Sequence, residues 1–208
     1  MNLDRLPNGT PCNPAILEAL INGQTEIVKY LAERGATVTS QLFNSAIYHG
    51  NCDLVRYFLD HGGISIQEVV NCSFSYAIEQ DQFEIVRCFV EEYHVDLNPI
   101  NVFQTPLTQV CSKGQMEWIS FFLEHGANIN GITRVGGGGL MPDFYLSPLI
   151  VAVQKNNLDL VKYLVDHGAD VNLPSVGTGE RNRTPLGVAR ERQFSSIISY
   201  LQSQQAHK

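Results

Sequence analysis

The sequence predicts an all-α fold, a solenoid built from about six copies of one short helix pair. Three observations predict it. The stretch from Ser147 to Asn172 encodes one complete pair: Ser147 can cap a helix with its hydroxyl, and Pro148 takes the first helical position, where its missing N–H costs nothing. Leu149, Ala152 and Val153 then share a face, the polar run Gln154 to Asn157 breaks the pattern, and Leu160, Val161, Leu164 and Val165 form a second apolar stripe. Gly168 follows as a left-handed exit residue, and the chain leaves extended through Ala169 to Asn172. Second, the pattern recurs: with Ala152 as anchor, Ala19, Ala46, Ala77, Val110 and Ala189 stand at equivalent positions. Third, the register holds downstream. Eight and nine residues after each anchor come Ile27 and Val28, Leu54 and Val55, Ile85 and Val86, Trp118 and Ile119, Leu160 and Val161, and Ile197 and Ile198. Twelve after it come Leu31, Phe58, Phe89, Phe122, Leu164 and Leu201. A pair this short cannot hide both stripes, so the copies must cover one another.

Taken in order, residues 1–12 are polar and carry Pro and Gly, and read as a frayed end or a lid. Copy one (13–40) starts with Asn13 and Pro14, has Leu20 and Ile21 in its first helix and breaks at Gly23. Copy two (41–71) lacks the proline but keeps Gly50 at the break and Gly62 at the exit. Copy three (72–104) is the most degenerate: Asp81 stands at the break, and one extra residue precedes His94, which replaces the exit glycine. A distorted helix end is expected there, because a non-glycine residue resists positive φ. Copies four (105–146) and five (147–183) are the most regular. Copy six (184–205) ends in Gln202, Ser203, Gln204 and Gln205, where earlier copies place apolar residues, and so reads as a polar cap. The whole chain, 1–208, reads as one repeat domain.

Thr105-Pro106-Leu107, Ser147-Pro148-Leu149 and Thr184-Pro185-Leu186, together with Glu124-His125-Gly126-Ala127-Asn128 and Asp166-His167-Gly168-Ala169-Asp170, resemble the ankyrin repeat over roughly residues 13 to 202. The resemblance implies an ankyrin-repeat α-solenoid with hairpin or loop fingers between copies, acting as a non-catalytic module or scaffold that binds a partner protein. From exit to next anchor the gaps are 11, 15, 16, 26 and 21 residues, against about 17 for a period of 33. The first finger is nearly deleted. The fourth is long and carries Gly136 to Gly139 followed by Leu140, Met141, Pro142, Asp143, Phe144, Tyr145 and Leu146, while the fifth carries Arg181 and Arg183. In the resembled family, partners contact finger tips and the exposed side of the first helices. Carried onto this chain, the helix positions are Tyr48, His49, Glu79, Gln80, Ser112, Lys113, Gln154, Lys155, Glu191 and Arg192, and the finger positions are Phe103, Gln104, Phe144, Tyr145, Arg181 and Arg183. Recognition is expected to favour the C-terminal copies, where fingers are long and carry apolar and arginine side chains.

Composition narrows the rest. With 208 residues, 44% apolar and 17% charged, the chain can bury a core, and six copies leave no room for a separate catalytic domain. A formal charge of −7 argues against a phosphate-binding surface, so nucleic acid is not an expected partner. Cys12, Cys52, Cys72, Cys88 and Cys111 show neither metal-type spacing nor a close pair, and Cys111 and Cys52 take small packing positions; reduced thiols and a cytoplasmic setting fit. No run of apolar residues reaches membrane-spanning length, no cofactor is implied, and a monomer is expected. Asn8, Asn71 and Asn182 head glycosylation-like triplets that read as chance without a secretory signal.

Other patterns take plain readings. His61, His125 and His167 precede Gly62, Gly126 and Gly168, but one histidine per copy is too dispersed to share a zinc, and a role at the helix C-terminus fits better. Gly136 to Gly139 lacks the Lys-Ser/Thr of a phosphate loop. Glu91 and Glu92 read as a solvated face, and no cysteine, histidine and orienting group form a protease-like trio. Phe144 and Tyr145 leave two readings open: folded back onto the solenoid, or an apolar anchor for a partner. Two rivals accompany the binding module: an enzyme with a site in the 131–146 insertion beside Asp143, and a pathogen-encoded, host-directed binder acting in host cytoplasm.

Overall fold

The computed structural model describes residues 14–66, 73–99, 104–135, 144–177 and 183–206, with the backbone alone at 133–135, 144–145, 176–177 and 206. Cα packing divides the chain into two units, Met1–Val95 and Asp96–Lys208. The first holds three helix pairs: α1 (Pro14–Ile21) with α2 (Thr25–Glu33), α3 (Ser40–Tyr48) with α4 (Cys52–Asp60), and α5 (Phe74–Glu79) with α6 (Phe83–Glu91). First helices stack on first helices and second on second, α1 on α3 on α5 and α2 on α4 on α6. In the second unit the pairs are α7 (Pro106–Lys113) with α8 (Met116–Glu124), α9 (Pro148–Gln154) with α10 (Leu158–Asp166), and α11 (Pro185–Glu191) with α12 (Ser195–Ala206). There α7 packs on α9 and α9 on α11, with α10 against α12. Each unit is therefore a helical solenoid segment.

The anchors are where the packing is tightest. Ala46, Ala77, Val110, Ala152 and Ala189 are wholly buried and Ala19 nearly so, because a small side chain lets neighbouring first helices approach. Phe58, Phe89, Phe122, Leu164 and Leu201, twelve residues on, are also fully buried. Burying each contributes on the order of 1.5–3 kcal/mol. Trp118, at the same register as Leu54 and Ile85, is buried as expected. Copy one departs from the pattern. Val28 is buried, but Ile27 is 47% exposed and Leu31 only half-buried, since among the described residues just one neighbouring pair lies against them.

Local chemistry sets the helix starts. Thr105, Ser147 and Thr184 each accept a hydrogen bond from the backbone N–H three residues on, followed by proline at the first helical position. Copy two begins earlier than the expected Gln41: Thr39 caps α3 by accepting from Leu42 N–H at 3.2 Å. In copy three Ser73 makes no cap and instead donates its hydroxyl to Asn44 Oδ1 at 2.9 Å.

The exits of copies two and three share a variation. His94 takes φ of 51°, as anticipated for copy three. In copy two the left-handed residue is Gly63, at φ 75°, and not Gly62. Gly62 is needed for another reason: a Cβ there would lie 2.8 Å from the Phe58 carbonyl oxygen. Both copies thus spend one extra residue before turning out.

The fourth and fifth fingers meet. Strand β1 (Thr133–Val135) pairs antiparallel with β2 (Phe144–Leu146), which pairs on its other side with β3 (Val176–Gly177). Phe144 is opposite Val135 and Gly177, and Tyr145 opposite Arg134 and Val176. Residues 1–12 and 136–143, including Gly136 to Gly139 and Asp143, lie outside the described residues, as do Cys12, Cys72, Phe103, Arg181 and Asn182.

Candidate protein-binding surface

Two and three residues past each anchor the first helix ends, and the side chains there leave the core. Tyr48 is 56% exposed and sets its ring edge-on to His49, also exposed, with centroids 5.2 Å apart. Glu79 is exposed and Gln80 half-buried; Gln154, Lys155, Glu191 and Arg192 are exposed. Ser112 is half-buried and donates its hydroxyl to the Gln109 carbonyl at 2.7 Å, beside exposed Lys113. The stacking of α3 on α5, and of α7 on α9 on α11, therefore turns equivalent positions into a row within each unit. Ile21 belongs to the first unit's row: it is 52% exposed, two residues after Ala19 as Tyr48 is after Ala46. That shared register was the available signal, obscured because an isoleucine in a helix reads as core.

Among the finger positions, Gln104 is half-buried, and Arg183 reaches back to Glu191 with Nη1 to Oε2 at 3.1 Å. Phe144 and Tyr145 have their backbone in the central strand of the finger sheet, and their side chains lie outside the described residues.

Charge is divided unevenly between the two units. Residues 1–95 hold five Lys/Arg against twelve Asp/Glu, and residues 96–208 nine against nine, so the whole −7 falls in the first unit. Five second helices carry an acid in the first turn, Glu26, Asp53, Glu84, Glu117 and Asp159, where the helix dipole favours it. In the first unit the cations lie on the same layer: Lys29 pairs with Glu26, Arg87 with Glu84 and Glu91, and Arg56 forks onto Glu92 at 2.7 and 2.8 Å. The fork holds the Glu92 carboxyl below its usual range. In the second unit Lys113, Arg190 and Arg192 lie at first-helix ends with Lys155.

The histidines serve the helix ends. His61, His125 and His167 occupy C-cap positions and pack against Tyr57, Phe121 and Tyr163, with ring centroids 5.2, 4.2 and 4.0 Å apart. His125 and His167 also bring Nδ1 to the carbonyl four residues back, at 2.8 and 2.7 Å. Among the described residues, no three His, Cys, Asp or Glu gather as a metal ion would need. Nor are the described thiols activated. Burial pushes Cys111 and Cys88 up to about 12 and raises half-buried Cys52, so none is a thiolate at neutral pH.

Stacked helix pairs with buried anchors and an outward row define a helical-repeat scaffold, and comparison makes the class specific. A family model described as ankyrin repeats (3 copies) matches residues 74–175 and 137–208. The chain belongs to the ankyrin repeat family. It is accordingly an interaction module of a family that is typically non-enzymatic. The crystal structure of the ankyrin repeat domain of Bcl-3, a member of the IkappaB protein family, is similar with a TM-score of 0.69 and 25% identity, covering 95% of this chain and 86% of that one. Alpha-latroinsectotoxin-Lt1a of Latrodectus tredecimguttatus is 26% identical over 132 residues, which is 59% of this chain; the match spans 9% of that toxin's length. Among the described residues no helix is long and apolar enough to cross a membrane.

Proposed function

We propose that the chain captures a partner protein along the exposed ends of its first helices and the adjoining fingers, favouring residues 96–208, and performs no catalysis of its own. The observation that carries this reading is the pairing of a buried anchor with an exposed neighbour in every copy, as in Ala46 with Tyr48 and Ala152 with Gln154 and Lys155. The core fixes the backbone, so outward side chains are held in place before a partner arrives and little ordering remains to be lost on binding. The partner is a protein and not nucleic acid, and the protein acts as a monomer in the cytoplasm on this reading.

Photo-crosslinking tests it. A photoreactive residue at Gln154 is expected to trap the partner, whereas one at Lys162 on the second-helix layer is not; equal or stronger trapping at Lys162 overturns the reading. Replacing Phe144 and Tyr145 by alanine is expected to weaken capture with little change in melting temperature. A large loss of stability with unchanged capture would make the pair part of the fold.

A further inference from the structure

In the second unit the residue three past each anchor is Lys113, Lys155 or Arg192, and all three are exposed. Because α7 packs on α9 and α9 on α11, equivalent residues form one row, with neighbours about 8–10 Å apart as stacked helices require. Arg190 adds a fourth exposed cation at the end of α11. Within α7, α9 and α11 the one acid is Glu191, and Arg183 already engages it at 3.1 Å. Lys155, Arg190 and Arg192 make no ion pair among the described residues. A cation near a helix C-terminus also complements the dipole, which is the plain explanation. The first unit argues against it as sufficient, because the same position there holds Asn22, His49 and Gln80 and no lysine or arginine.

We infer that this row is the seat of an extended acidic segment of a partner protein, with a carboxylate at every third residue. The spacing selects the conformation. A polyproline II segment rises about 3.1 Å per residue with three residues per turn, so positions i, i+3 and i+6 line one side about 9 Å apart. That matches the pitch of stacked helices, whereas a β-strand turns residues three apart to opposite faces. The inference rests on the binding reading above and narrows it to a chemical class.

The test uses the full chain and a short fluorescein-labelled peptide of repeated Glu-Pro-Ala, with a same-composition peptide whose glutamates are in one block. The repeated peptide is expected to bind with an affinity that falls as salt rises, and better than the blocked one. The combined variant Lys113→Gln, Lys155→Gln and Arg192→Gln is expected to lose about tenfold or more while keeping its melting temperature. Lys29→Gln, on the other layer, serves as the control and is expected to change nothing. Equal binding by the triple variant, equal binding of the blocked peptide, or tighter binding of a single-stranded oligonucleotide each overturns the inference. So does a concentration-dependent dimer that the triple variant abolishes, which would assign the row to a second copy of this chain. If the peptide fails while crosslinking at Gln154 still traps a partner, this inference falls and the binding reading stands; if both fail, both fall.

Discussion

Residues 1–95 and 96–208 each run the same helix pair three times in the described structure, yet the side-chain ties described within them differ. Within residues 96–208 the stretches Asp96-Leu97-Asn98, Asn128-Ile129-Asn130 and Asp170-Val171-Asn172 build a ladder. The first residue of each triplet accepts from the backbone N–H of the third. The third residue then reaches into the next copy. Asn98 donates to the Gly126 carbonyl at 2.9 Å and accepts from Asn128 N–H, and Asn130 repeats this with Gly168 and Asp170. Asn172 closes the series by accepting from Gln205 at 2.8 Å. Within residues 1–95 the chain turns out one residue later, counted from the anchor, at Gly63 and His94 than at Gly35. Ties described between its copies include Tyr93 to Asp60 at 2.9 Å and Arg56 to Glu92 on the second-helix layer, and Ser73 to Asn44 at 2.9 Å on the first. One helix pair can therefore be joined to its neighbour by amides at the exits or by charges and phenols along the helices.

The largest test of this contrast is in the cores. Phe89→Ala in the first unit, removing a ring that lies 6.4 and 6.1 Å from Phe43 and Phe74, and Trp118→Ala in the second are each expected to cost roughly 3–5 kcal/mol in denaturant melts. Hydrogen exchange should show lost protection centred on the mutated copy and its neighbours, as nearest-neighbour packing requires. Uniform loss over the whole chain for both variants would erase the distinction. A smaller effect probes the ladder: Asn130→Ala removes two bonds between copies and is expected to cost about 1–2 kcal/mol. Thr37→Ala, at an exit in the first unit, is expected to cost far less.

The smallest effect is alkaline. Cys111 is wholly buried and its thiol is pushed up to about 12 by desolvation, against 9.0 in the unfolded chain. A folded value above the unfolded one means that the stabilisation is complete below pH 9.0 and is lost as pH rises towards 12. Near pH 10 the loss attributable to this thiol is roughly 1 kcal/mol, and Cys111→Ala should flatten the slope of stability against pH there. An unchanged slope would mean that the thiol is accessible to solvent.

Much of this was readable before the structure, and for a physical reason. Anchors, caps and second-helix stripes depend on helical period and on hydroxyl or proline chemistry, both local, so Ala46, Thr105, Ser147, Thr184 and Trp118 lie as their spacing says. What escaped depends on neighbours. Gly62 and Gly63 adjoin, and only the backbone path past Phe58 decides which one turns left-handed. Ile27 follows the stripe but lacks a partner pair on one side among the described residues, so the period over-predicts its burial. The union of two fingers through β2 was hidden because strands of two or three residues carry no alternation to read. Of the surface positions, local register located those on helices, while the pairing of Arg183 with Glu191 required knowing that the fifth finger returns to α11.

The forward reach of Asn98 and Asn130 has an evolutionary corollary. Each side chain grips a carbonyl and an amide that its successor presents at a matching place, so the join is the same from one copy to the next. A gene duplication that inserted a whole copy between such joins would find its socket already made.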